Sequence, residues 1–222
     1  MRYEFGIAAT YIIALVYGIL NIDTTASLAV FNVISFAAPA WMVISNIGAV
    51  IAWMVFAAGI FFWGQFTKLG RKMRGRTAGT VLFLGIWLNI SVAYVLKHVI
   101  ARARPPYELN VFELGQEYGL SMPSGHTQLA FMSAIILGYF YPKTRVPLMI
   151  FAVLVAISRV GLGAHWILDV LVGAANGLLI AAIWLSLPWK KMSEKVQKLF
   201  YNSNPQSWQK CLISENLIIG SI

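Results

Sequence analysis

Charged side chains are scarce in this sequence. Asp, Glu, Lys and Arg make up 11% of its 222 residues, and only eight residues are acidic. A soluble domain carries about 25%. With 59% hydrophobic residues, this shortage argues against a water-soluble fold and points to a polytopic membrane protein. Cysteine is nearly absent. The single Cys211 excludes an intrachain disulfide and any cysteine-rich metal site. A net charge of +9 would suit nucleic acid in a soluble protein. In a membrane protein it reflects Lys and Arg retained on the cytoplasmic side, so no nucleic-acid partner is expected. The opening stretch, MRYEFGIAATYIIALVYGIL, has no small-residue cleavage site and reads as a retained first helix.

What is abundant is apolar sequence in helix-length runs. Spans at about 5–20, 42–63, 77–98, 124–141, 146–162 and 166–187 predict an all-α fold, a bundle of six transmembrane helices over residues 1–187. A basic tail, 188–222, follows. Between the first two spans, the segment interrupted by Pro39 predicts a short helix lying at the membrane interface. Thirteen of the 17 basic residues lie at Arg2, in 68–76, at 143–145 and in the tail. With six spans these segments share one side, which predicts a multi-pass protein of the cell membrane with both termini cytoplasmic. The other four, Lys97, Arg102, Arg104 and Arg159, sit at the opposite, outer ends of spans three and five.

Those exceptions belong to three short motifs: KHVIARARP from Lys97, PSGH from Pro123, and SRVGLGAHWILD from Ser158. Helix parity puts all three at the outer ends of helices three to six. Ionisable groups at membrane depth are costly and mark function. Lys97, Arg104 and Arg159 form a cationic cluster suited to a phosphate. Lys97 and Arg104 would share a helix face two turns apart, with the helix ending near Arg104 because Pro105 follows. Ser124 and Gly125 open a helix, where free N–H groups bind phosphate oxygens and glycine admits close approach. His165 and Asp169 are one turn apart. The carboxylate can fix the ring tautomer and leave the other nitrogen as a nucleophile. His126 is placed to protonate a leaving oxygen. The chemistry implied is phosphoryl transfer through a phosphohistidine, with no metal or other cofactor.

The full pattern, Lys97-x₆-Arg104-Pro105, Pro123-Ser124-Gly125-His126 and Ser158-Arg159-x₅-His165-x₃-Asp169, resembles the three-part signature of the type 2 phosphatidic acid phosphatase family. The motifs cover about a third of the chain, and the six-span layout extends the likeness over most of the rest. The resemblance implies a metal-independent membrane lipid phosphatase with His165 as nucleophile and His126 as acid. It implies a bacterial enzyme of the phosphatidylglycerophosphatase B or undecaprenyl-diphosphatase kind, working at the outer leaflet and facing the periplasm or exterior. Substrates would be undecaprenyl diphosphate, phosphatidylglycerophosphate or phosphatidic acid. The partners are thus a lipid substrate and the bilayer; oligomeric state is left open. A lipid phosphotransferase would carry the same motifs. An anion transporter would need polar residues along a whole path, which spans one and two lack.

Outside the motifs the simpler readings are preferred. Arg102 reads as a solvated loop residue, His98 as interfacial, and Tyr107, Glu108, Glu113 and Glu117 as a polar outer loop. Trp53 and Trp87 read as packing residues, and Gly173 with Gly177 as a close contact inside the bundle. Asp23 and Asn89 have no assigned role.

Overall fold

The computed structural model describes residues 6–7, 9–13, 15, 23–106 and 119–189. Among these the regular structure is helical throughout. Helix α1 (Asp23–Ile34) leads through a 3₁₀ turn (Ser35–Ala37) into α2 (Ala38–Ile47). Then come α3 (Val50–Phe66), a short α4 (Lys68–Lys72) and the long α5 (Gly75–Ile100). Helix α6 (Gly125–Phe140), a 3₁₀ turn (Pro142–Thr144), α7 (Arg145–Gly161) and α8 (Ile167–Ser186) complete the order. The expected first span lies largely outside the described residues. Its residues 9–13 are helical, and the Tyr11 hydroxyl donates to Asn176 Oδ1 on α8. The expected tail lies outside them from residue 190 onward.

Four helical stretches are long and apolar enough to cross a membrane: Asp23–Ile47, Gly75–Ile100, Pro142–Gly161 and Ile167–Ser186. Helix α3 is apolar but shorter. Outward-facing side chains such as Ile51, Val99 and Phe66 are large and apolar, as a lipid-facing surface requires. Trp53 is buried against Phe151, as expected for a packing residue. Trp87 is not: it is exposed on the outside of α5, since the helix turns that position away from its neighbours.

Helix α6 occupies the centre. Every residue from Thr127 to Gly138 is buried, and it packs against α5, α7 and α8. A helix apolar on all faces is one surrounded by others. Glycine governs its closest approach to α8. A Cβ on Gly177 would lie 2.3 Å from the Gln128 carbonyl oxygen, and one on Gly173 would lie 2.7 Å from that of Ser124. The Gly173–Gly177 pair is therefore a contact inside the bundle.

Asp23–Ile47 is not straight. A single helix would separate Asp23 from Ser45 by about 33 Å. Yet Asp23 Oδ1 accepts the Leu168 N–H at 2.9 Å, and Arg159 Nη1 donates to Ser45 Oγ at 2.5 Å. Arg159 and Leu168 flank one tight turn, in which the Arg159 carbonyl accepts from both Ala164 and His165 N–H. The bend falls at the 3₁₀ turn, where the Trp41 indole N–H donates to the Ile34 carbonyl at 2.8 Å and Pro39 starts the new helix. Helix α1 thus passes the N-terminus of α8, and α2 packs along α7 until Gly48 meets Val155. The expected second span, 42–63, is divided at Gly48–Ala49, between α2 and α3.

Candidate active site

The three motifs meet where α5 ends and α6 and α8 begin. Helix α5 stops at Ile100, earlier than the position of Pro105 suggested. Ala101 adopts a left-handed conformation, φ 50°, with its N–H on the Lys97 carbonyl. A non-glycine residue in that region ends the helix at some cost in strain. Lys97 and Arg104 therefore do not share a helix face. Residues 101–106 instead leave the axis and are pinned on both sides. Ser121 N–H donates to the Arg102 carbonyl at 2.8 Å, and the Trp166 indole donates to the Ala103 carbonyl at 3.0 Å.

This detour brings Arg104 to His165. Arg104 Nη1 donates to the Ala164 carbonyl at 3.0 Å and lies 3.5 Å from His165 Nε2. The other ring nitrogen, Nδ1, lies 3.4 Å from Asp169 Oδ2. Asp169 Oδ2 also accepts the Trp166 N–H at 3.0 Å, so the carboxylate caps the start of its own helix while facing the ring. His165 is 2% exposed and Asp169 fully buried. A carboxylate on Nδ1 selects the tautomer whose lone pair is on Nε2, beside the Arg104 guanidinium.

Arg159 is buried, and its carbonyl holds the backbone of His165, so its placement and that of the ring are coupled. Lys97 has a different surrounding. Its ammonium donates to the Leu120 and Ser121 carbonyls at 2.7 and 3.1 Å, fastening the segment that leads into the PSGH turn. Ser124 is fully buried, and its N–H donates to the Asp169 carbonyl at 3.0 Å. Its amide is thus engaged within the protein, and its hydroxyl accepts from Thr127 Oγ1 at 3.1 Å. Gly125, His126 and Thr127 form the first turn of α6, the positive end of that helix. A Cβ on Gly125 would meet nothing within 4 Å. That open ground in front of a helix N-terminus is where an anion fits. His126 is half-buried on the same first turn.

The sequence reading missed four residues. Arg102 is no solvated loop residue. It donates to Asp169 Oδ1 at 2.8 Å, pairs through its other terminal nitrogen with Asp23 Oδ2, and lies 5.6 Å from the centroid of the Trp166 ring. Asp23, Ser27 and Ser45 complete the surroundings. Asp23 Oδ1 and Ser27 Oγ accept the Leu168 and Ile167 N–H groups. One signal was available: of the eight acids, Asp169 lies inside an apolar span and Asp23 stands among the few polar residues between two apolar stretches. Asn89 is also placed: it is buried, with its backbone carbonyl accepting from Gln128 Nε2 at 3.3 Å, so it serves packing between α5 and α6. At this end of the bundle four cations, Lys97, Arg102, Arg104 and Arg159, face two carboxylates among the described residues. The surplus is positive, which a multiply charged anion would neutralise.

The sequence profile of the PAP2 superfamily matches residues 78–193, just over half of the chain and all three motifs. The chain belongs to the PAP2 superfamily. Phosphatidylglycerophosphatase B of Bacillus subtilis (strain 168) is 32% identical over 139 residues, 57% of this chain and 61% of that protein. Undecaprenyl-diphosphatase of Sulfolobus acidocaldarius is 32% identical over 129 residues, 57% of this chain and 63% of that protein. The chain spans about three fifths of the length of these PAP2 relatives. Among solved structures, a transmembrane PAP2 type phosphatidylglycerolphosphate phosphatase from Bacillus subtilis matches with a TM-score of 0.59 at 25% identity, over 86% of this chain and 96% of that one. Aquifex aeolicus LpxE matches with a TM-score of 0.54 at 25% identity, over 72% and 94%. Both are matched over nearly their whole length, so the all-helical membrane bundle described above is a PAP2 fold.

Proposed function

We propose that this PAP2 protein is a lipid phosphatase that removes phosphate from a lipid phosphate or lipid diphosphate through a phosphohistidine. The observation that carries the reading is the disposition of the His165 ring. A buried carboxylate lies on one nitrogen and a guanidinium beside the other, next to the positive end of α6. The named activities of the relatives support the substrate class: phosphatidylglycerophosphate, undecaprenyl diphosphate and lipid A 1-phosphate. The fold supports a substrate drawn from the bilayer.

In this mechanism the phosphate rests among Arg104, Arg159, Lys97 and the first amides of α6. His165 Nε2 attacks phosphorus. As the N–P bond forms, the bond from phosphorus to the leaving oxygen breaks, and His126 gives that oxygen a proton. The ring now carries positive charge, with its Nδ1 proton held toward Asp169. Water then attacks phosphorus, the N–P bond breaks with its electron pair returning to Nε2, and the water proton passes to His126. The charge on the transferring group is spread over its oxygens, so cations and amides contribute most of the stabilisation. The surplus of positive charge lies opposite the basic loops at 68–76 and 143–145. The reaction is accordingly assigned to the outer leaflet, with residues 1–187 as the catalytic domain and 188–222 as a cytoplasmic tail.

The test is capture of the intermediate. Purified protein mixed with lipid carrying ³²P in the scissile phosphate, then quenched in alkali, retains label that acid removes. The His165→Ala protein retains none and releases no phosphate. Alkali-stable label on His165→Ala would overturn the assignment.

A further inference from the structure

Arg102 differs from Arg104 and Arg159: its hydrogen bonds go to carboxylates rather than to the turn that carries His165. It stands between two carboxylates from distant parts of the chain, Asp23 at the start of α1 and Asp169 in the first turn of α8. Its side chain is 23% exposed, while those of Asp23 and Asp169 are 7% and 0%. The guanidinium plane is further fixed against the Trp166 ring. We propose that Asp23 and Arg102 form a positioning pair that sets the orientation and effective charge of Asp169. This inference rests on the reading of His165 and Asp169 as the nucleophilic pair.

The geometry divides the Asp169 carboxylate into two duties. Oδ1 accepts from Arg102 at 2.8 Å, so Oδ2 is left turned toward Trp166 N–H and the His165 ring. Without Arg102, a fully buried carboxylate would lack a partner on one oxygen and could rotate to another donor. The fork of a guanidinium suits this task because it donates in two fixed directions at once.

Asp23 has a second consequence, which concerns charge. Arg102 acting alone on Asp169 would form a neutral pair and cancel the field that the ring experiences. Asp23 brings a second negative charge, so the three groups together carry a net −1. That charge remains beside His165 when the ring becomes positive on phosphoryl transfer. Asp23 also accepts the Leu168 N–H, and Ser27 the Ile167 N–H, so the first turn of α8 is held by α1 in addition to the bond from Trp166 N–H to Asp169. Helix α1 thereby becomes part of the machinery that orients the nucleophile.

The experiment is steady-state hydrolysis of dioctanoyl phosphatidic acid in dodecyl maltoside by the full chain. Arg102→Met, Arg102→Lys, Asp23→Asn and the double variant Asp23→Asn/Arg102→Met are compared, with Asp169→Asn as control. Each single variant is expected to lower kcat about tenfold or more while KM changes less than twofold. The double variant is expected to be no worse than Arg102→Met alone, because the two residues act as a unit. Arg102→Lys, which keeps the charge but loses the fork, is expected to recover part of kcat. A rise in KM at constant kcat would make Arg102 a substrate-binding group and overturn the proposal. So would unchanged kinetics or strictly multiplicative losses. Thermal unfolding in the same detergent separates a folding defect from a kinetic one. If Arg102→Met loses the folded state, Asp23→Asn and Arg102→Lys carry the same kcat test. An inactive Asp169→Asn with a fully active Arg102→Met defeats this proposal alone. A fully active Asp169→Asn defeats the nucleophilic-pair reading along with it.

Discussion

The Ser124 N–H donates to the Asp169 carbonyl at 3.0 Å, so the first turn of α6 is tied directly to the first turn of α8. His126 lies on the first turn of α6, and His165 lies in the tight turn that leads into α8. The proposed acid and the proposed nucleophile are thus held close to one backbone bond between the two helix starts. Rigid placement of this kind is what removes the entropic cost of bringing catalytic groups together.

The first expectation concerns His126. Replacing it with Gln should slow a lipid monoester about 100-fold or more, because an alkoxide leaves poorly without a proton. A lipid diphosphate should lose far less, since its leaving phosphate is already a stable anion. Parallel kcat measurements on phosphatidic acid and a short-chain prenyl diphosphate give the comparison. Equal losses on both would remove His126 from the role of acid.

Ser45 supports Arg159 from α2. Arg159 donates to Ser45 Oγ at 2.5 Å in a buried setting. A hydrogen bond to a charged group contributes about 1.5–3 kcal/mol. Ser45→Ala should therefore cost roughly tenfold or more in kcat/KM, with Ser45→Thr closer to the wild type. Unchanged kinetics in Ser45→Ala would mean that Arg159 is held by its other contacts.

Gly177→Ala tests the packing of the central helix. The added methyl would lie 2.3 Å from a backbone carbonyl of α6, which has no flexible end to move aside. The two helices must separate, and overpacking of this kind costs about 1–3 kcal/mol. The melting temperature in detergent should fall by several degrees. Gly59→Ala, where a Cβ would meet nothing within 4 Å, is the matched control and should melt as the wild type does.

Sidedness follows from the charge distribution. In a Cys211→Ser background, a cysteine at Glu113 should react with an impermeant maleimide added to intact cells. One at Arg74 should react only after the membrane is opened. The reverse pattern would invert the topology.

Much of the site could be read from the sequence because its residues are out of place there. A lysine, arginines, histidines and an aspartate in lipid-length apolar runs have few explanations other than function. Spacing rules also work over a few positions, as His165 and Asp169 show, although His165 precedes α8 rather than lying on it. They fail across the chain. Asp23 and Asp169 are 146 positions apart, and no periodicity links them to Arg102. The left-handed Ala101 was equally hidden, since alanine is a strong helix former and nothing local asks for a reversal. That reversal carries Arg104 off the α5 axis to His165, and it is why the expected shared face with Lys97 does not exist. In the fold, the bend between α1 and α2 was foreshadowed by Pro39. The break at Gly48–Ala49 was not, because a membrane-length apolar run tolerates the few small or polar residues there, Ser45, Asn46 and Gly48.

Helix α6 is sheathed by α5, α7 and α8 along nearly its whole length. A bilayer thicker or thinner than the protein acts on the helices that touch lipid, which tilt or let the membrane deform around them. The helix that bears His126 has little surface on which that mismatch can act. Turnover should therefore be nearly indifferent to acyl-chain length in the host membrane, even where the melting temperature follows it. The same enclosure leaves the outer helices free to adapt to membranes of different thickness without retuning the chemistry.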